Sequence, residues 1–188
     1  METRNAAGVN VGGQAMTTGK SEAASVAVKH TYLFEARDKD GNLKWTVEED
    51  NIVPNEGLDE ILDKFYKGSS YTASHFVGLT DGTPTVNAAD TMASAAGWSE
   101  VTAYDEATRQ AFTPGTVSSQ SVDNSASKAV FTISTNGTTI GGGFLTTNST
   151  KGGTSGELVS VVAFTAGDKS LDDGDTLSVT VTATMASA

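Results

Sequence analysis

The chain of 188 residues has no cysteine and only two histidines. Without cysteine there is no disulfide framework, no thiol nucleophile and no cysteine-ligated zinc site. Basic residues are scarce too: 12 Lys and Arg against 23 Asp and Glu leave a net charge of −11. Phosphate backbones and anionic lipid repel such a chain, which argues against nucleic acid and membrane surfaces as partners. The N-terminus lacks the continuous apolar core of a signal peptide, and no run approaches the length of a membrane span. The expectation is a protein made and kept in a cytosol-like compartment. The length suits one ordinary domain, with room for a real core and an appendage.

The appendage is read at the N-terminus. Residues 1–25, METRNAAGVNVGGQAMTTGKSEAAS, are small, glycine-rich and without sustained periodicity. Such a segment buries too little apolar surface to offset its ordering entropy, so it is expected to be a flexible arm. Arg4, Lys20 and Lys29 against Glu2 and Glu22 give residues 1–30 a net charge of +1; out of the total of −11, this leaves −12 on the rest. Val9, Val11 and Met16 offer apolar anchors, and Arg4 and Lys20 offer charge. These five are the candidate contacts to a larger particle or to a neighbouring copy.

Order is expected from about Val26, in a β domain spanning 26–188. Val26, Val28, His30, Tyr32 and Phe34 alternate with the period of a strand. DKDG at 38–41 reads as a turn, and Leu43, Trp45 and Val47 alternate again, which completes a hairpin. NIVPNEGLDEILDKFYKG is the one clear helix, at about 56–67. Leu58, Ile61, Leu62, Phe65 and Tyr66 form its apolar stripe, Asn55 is the expected N-cap and Gly68 the stop. That stripe is expected to pack on a sheet. Strand-like runs follow at Ser74–Thr80, Trp98–Tyr104, Thr108–Phe112, Thr116–Val122, Lys128–Ser134, Thr138–Thr147, Leu158–Thr165 and Asp175–Thr184. Between 81 and 97 lies a long connection with room for one short helical turn. Many short strands with β-branched residues and glycine-rich turns indicate an antiparallel sandwich or barrel.

Catalytic signatures are missing. His30 and His75 sit in separate strand-like runs and read as ordinary sheet histidines rather than metal ligands. Glycines 141–143 precede Phe144 and Leu145 instead of a helix and a lysine, so close backbone approach is preferred to a phosphate loop. LDDGD at 171–175 lacks the EF-hand spacing and reads as a turn. Glu48, Glu49 and Asp50 point alternately to opposite faces and do not converge. No GxSxG elbow occurs. The expectation is no enzyme, no cofactor and no metal.

The segments NIVPNEGLDEILDKFYKG, FVGLTDGTPTVNAADTMASAAGWSEVTAYDEATRQAF, SVDNSASKAVFTIS, TIGGGFLTT and GDTLSVTVTAT together resemble virion structural proteins of tailed bacteriophages. Within that group the chain is most similar to the capsid decoration, or cement, proteins. The resemblance covers most of residues 32–184 and rests on segment order. It implies a β-sandwich or jelly-roll fold and a homotrimer on the capsid exterior that bridges major capsid protein subunits, made in the host cytoplasm. No residue role carries over. The other reading is a tail or head-fibre component that contacts a host receptor or glycan through exposed loops such as 148–156 and 81–97.

Overall fold

Alternation from Val26 onwards produces the first strand, β1 (Val26–Arg37), whose inner face buries Tyr32, Phe34 and Ala36 completely. The structure is a computed structural model that describes residues 26–69, 74–95 and 97–187. The expected arm of residues 1–25, and with it Arg4, Val9, Val11, Met16 and Lys20, lies outside the described residues. After β1 the chain turns at DKDG, where Asp38 Oδ1 accepts the backbone N–H groups of Asp40 and Asn42 and Gly41 takes a φ of 87°. The turn leads into β2 (Leu43–Asp50), antiparallel to β1. The hairpin is as the alternation implies.

Helix α1 (Asn55–Phe65) and β3 (His75–Asp81) come next. The short strands β4 (Ser99–Glu100), β5 (Gln110–Phe112), β6 (Ser121–Asp123), β7 (Ala129–Thr132) and β8 (Thr138–Ile140) follow. The last four are β9 (Gly142–Thr146), β10 (Leu158–Ala163), β11 (Lys169–Leu171) and β12 (Thr176–Ser187).

Two five-stranded antiparallel sheets result. The first runs β2–β1–β12–β6, with β7 also on β12: β6 pairs with Thr182–Thr184 and β7 with Thr176–Val179. The second runs β10–β9–β3–β4, and β5 joins β3 on the edge it shares with β4. Strands β8 and β11 form a separate ribbon. Tyr32, Phe34, Leu177, Val179 and Val181 of the first sheet meet Val77, Leu79, Leu145 and Val162 of the second in one buried cluster. Each such side chain contributes ~1.5–3 kcal/mol of burial. Tyr32 and Ser160 join hydroxyls across the gap. Among the described residues the observed architecture is therefore a mainly β sandwich with one α-helix.

Several runs are shorter than their periodicity implies. Thr138–Thr147 is not one strand, because it breaks at Gly141 and sends β8 and β9 into different sheets. A Cβ on Gly141 would stand 1.7 Å from the carbonyl of Gly82, so the backbone crosses there at contact. Trp98–Tyr104 contributes only β4. Thr116–Val122 contributes only its end, since Ser119 and Gln120 turn through φ values of 49° and 59°. Strand β9 is buried on both faces, and β10 along nearly its whole length. The 83–98 connection supplies the outer cover, with Met92, Val86 and Trp98 packed on Phe144, Leu158 and Val161.

Candidate functional site

Helix α1 does not sit as its apolar stripe implies. It meets β10 through Gly57, where a Cβ would lie 2.4 Å from the carbonyl oxygen of Val159. Glu56 then locks the orientation by accepting the backbone N–H groups of Leu158 at 2.6 Å and Met92 at 3.1 Å. Those two contacts turn the helix so that Leu58, Leu62, Phe65 and Tyr66 face outward, at 40%, 53%, 79% and 76% exposure. Asn55 is not the cap either. Pro54 holds that position without a side-chain bond, and the Asn55 N–H donates to Ala88 O. Gly68 takes a φ of 66° just past the end, in keeping with its role as a stop.

Beside this apolar face runs an acidic cleft of about 970 Å³ lined by Glu56, Asp59, Glu60, Asp63, Asp90 and Glu157. Lys67 pairs with Asp63 at 2.6 Å and holds its carboxyl below the usual range. Burial, followed by the neighbouring Glu56, raises the Glu157 carboxyl. The exposed face is thus apolar with a negative rim.

A second surface lies where β1 begins and β12 ends. There the sheets part around a groove of about 580 Å³, lined by Val28 and Met185 of the first sheet, Phe112 and Leu145 of the second, and Ile61 of the helix. His30 and His75 both line it, one from each sheet. Both are sheet residues, as expected, but the pairing of sheets brings them together in a way that their sequence separation conceals. His30 Nδ1 lies 3.3 Å from the Asn51 side-chain amide, which assigns the acceptor role to Nδ1. Burial, assisted by the charge of His75, lowers His30 to about 4. His75 is lowered by burial, against the opposing pull of Glu60.

This geometry has a measurable consequence. The unfolded chain takes up the His30 proton near pH 6.5, before the folded chain does. Stability should therefore be unaffected by His30 above that pH and fall as pH drops towards 4, by ~3 kcal/mol in total. Urea unfolding at pH 7 and pH 4 checks this. His30→Leu is expected to reduce the pH dependence by that amount, and an unchanged slope would contradict the assignment.

The loop 147–157 joining β9 to β10 is anchored from within. Arg109 is fully buried and makes a bidentate pair with Glu100, Nε to Oε1 at 2.9 Å and Nη2 to Oε2 at 2.7 Å. Its remaining donors reach the carbonyls of Asn148 at 2.9 Å and Gly153 at 2.6 Å. Lys151 donates to the carbonyls of Tyr104 and Glu106 at 2.8 and 2.7 Å and lies over the Tyr104 ring. Of the two loops considered for a receptor, 148–156 is held rigid by this network, and 81–97 is largely the cover of the second sheet. No periodicity marks Arg109 as buried; only the pairing of β3 with both β4 and β5 brings Glu100 beside it.

The remaining motifs fall into structural roles. Gly142 and Gly143 lie within β9, where added Cβ atoms would meet Val162 O at 2.0 Å and Gly78 O at 3.0 Å, so close approach explains them. LDDGD is a turn in which Gly174 has a φ of 83° and Lys44 bridges Asp175 and Asp172 at 2.6 and 3.6 Å. Glu49 binds Thr165, whereas Asp50 pairs with Lys29. Among the described residues, no group of three or more His, Cys, Asp and Glu converges to hold a metal. No helix among them is long and apolar enough to cross a membrane. No family model matches the chain, and neither a curated protein nor a solved structure matches it.

Proposed function

We propose that the chain is a non-enzymatic virion structural protein that decorates a tailed-phage capsid and stabilises it by bridging major capsid protein subunits. The observation that carries this reading is the outward apolar face of α1. Leu58, Leu62, Phe65 and Tyr66 stand in solvent on a domain whose own core is complete without them. Clustered apolar residues with a polar rim mark protein-binding surfaces. The acidic residues Asp59, Glu60 and Asp63 beside them fit a partner with basic groups around an apolar patch. The resemblance to cement proteins supplies the identity of that partner, and the acidic chain suits display in many copies on a particle. Its oligomer in this reading is a homotrimer on the capsid exterior.

Two measurements test the reading. Light scattering at micromolar concentration should give three times the chain mass, and a strict monomer or dimer counts against the trimer. Co-sedimentation with heads of the cognate major capsid protein should be lost, by tenfold or more in affinity, in Leu62→Asp/Phe65→Asp, while thermal stability stays within a few degrees. Undiminished binding by that variant would remove the helix face from the account.

A further inference from the structure

The groove at the open end borders a stretch of strand edge that is unpaired among the described residues. Strand β2 pairs only with Thr31–Arg37 of β1, and its lane ends at Asn51 because Ile52 departs to bridge Val161. His30 spends both backbone groups on Asn51: its N–H donates to Asn51 Oδ1 at 2.8 Å, and its carbonyl accepts the Asn51 N–H at 3.1 Å. Backbone groups in a strand alternate in direction, so those of Val28 and Val26 point to the same side as those of His30. Beyond Asn51 that side has no strand among the described residues. Here this edge and an apolar groove lie together, and Val28 belongs to both.

We propose that residues 8–11 of the same chain, Gly-Val-Asn-Val, occupy this lane as an added antiparallel strand, with Val9 and Val11 seated in the groove. Three observations favour this occupant over others. Val9 and Val11 stand two apart, so in an extended strand both side chains project to one face while Asn10 projects to the other. The segment is tethered where it is needed, because residue 25 joins β1 at Val26, two residues before Val28, the edge position that lines the groove. Residues 13–25 reach up to ~40 Å when extended, ample for a fold back along the edge, and Gly12 and Gly13 permit the entry to the turn. A tether of that length also holds the segment at an effective concentration near millimolar, which a free partner does not match. Main-chain bonds to an edge supply affinity and alternate side chains in pockets supply selectivity, the usual division in strand addition. Burial disfavours the charged form of both groove histidines, in keeping with an apolar occupant. This inference stands independently of any role on a capsid.

The chain lacks cysteine, so a pair can be placed without background. Full-length Val9→Cys/Val28→Cys, which face each other when residues 8–11 lie opposite Val26–Lys29, is expected to form an intramolecular disulfide at the mass of one chain when oxidised in dilute solution. A disulfide that joins two chains instead would assign the lane to a second copy and overturn the proposal. In parallel, hydrogen exchange on the full chain should show the Val26–Lys29 backbone protected, and Val9→Asp/Val11→Asp should speed its exchange at least tenfold with the rest of the sandwich unchanged. Equal exchange in the two chains, or failure to form the disulfide, would also overturn it.

Discussion

Glu100→Gln is expected to destabilise the fold by ~3–5 kcal/mol, because it leaves a fully buried guanidinium without its counter-charge. Arg109 is surrounded by the Glu100 carboxylate, two loop carbonyls and the face of Phe144, whose ring centre is 5.2 Å from the guanidinium carbon. The carboxylate does more than neutralise, since Glu100 Oε2 also accepts the Gly152 N–H at 2.9 Å. Loss of charge therefore loosens the 147–157 loop along with β4 and β5. Taking both charges away together is different: Arg109→Met/Glu100→Leu removes the desolvation cost with the attraction and should recover much of the loss. Urea unfolding of Arg109→Met, Glu100→Leu and the double variant gives the coupling energy. Additive losses would contradict a buried, mutually dependent pair.

Gly141→Ala is the second large effect. A methyl at that position would lie 1.7 Å from both the carbonyl carbon and the oxygen of Gly82, and 2.1 Å from Thr83 N. All three are main-chain atoms, so no rotamer change relieves the overlap. Ordinary overpacking costs ~1–3 kcal/mol, and a clash with fixed backbone should meet or exceed the top of that range. The crossing joins the start of the 83–98 cover to the break between β8 and β9, so the second sheet and the β8–β11 ribbon both feel the shift. Gly41→Ala provides the contrast. Its added methyl meets nothing within 4 Å, and only the strain of its positive φ remains. Thermal unfolding should rank Gly141→Ala far below Gly41→Ala; similar midpoints would sink the account of the crossing.

Local alternation was enough to expose the hairpin of β1 and β2 and the long β12. In these elements the period of the side chains and the direction of burial agree. The misreadings share a cause: a tertiary contact outweighed the local pattern. α1 has a clear apolar stripe, yet the flat spot at Gly57 and the two bonds accepted by Glu56 decide which side meets β10. The run 138–147 reads as one strand because its residues favour extension, and only the neighbour at Gly82 breaks it. Arg109, alone in a polar stretch, becomes a buried anchor through β3, which no spacing reveals. The meeting of His30 and His75 has the same origin, since each belongs to a different sheet.

Cryo-electron microscopy of intact particles tests the decoration role most directly. The expected result is density for the sandwich in threefold groups on the outside of the head, each copy touching more than one major capsid protein subunit, with α1 directed to the capsid surface. Density confined to the tail or a fibre, or particles in which the chain is absent, would contradict it.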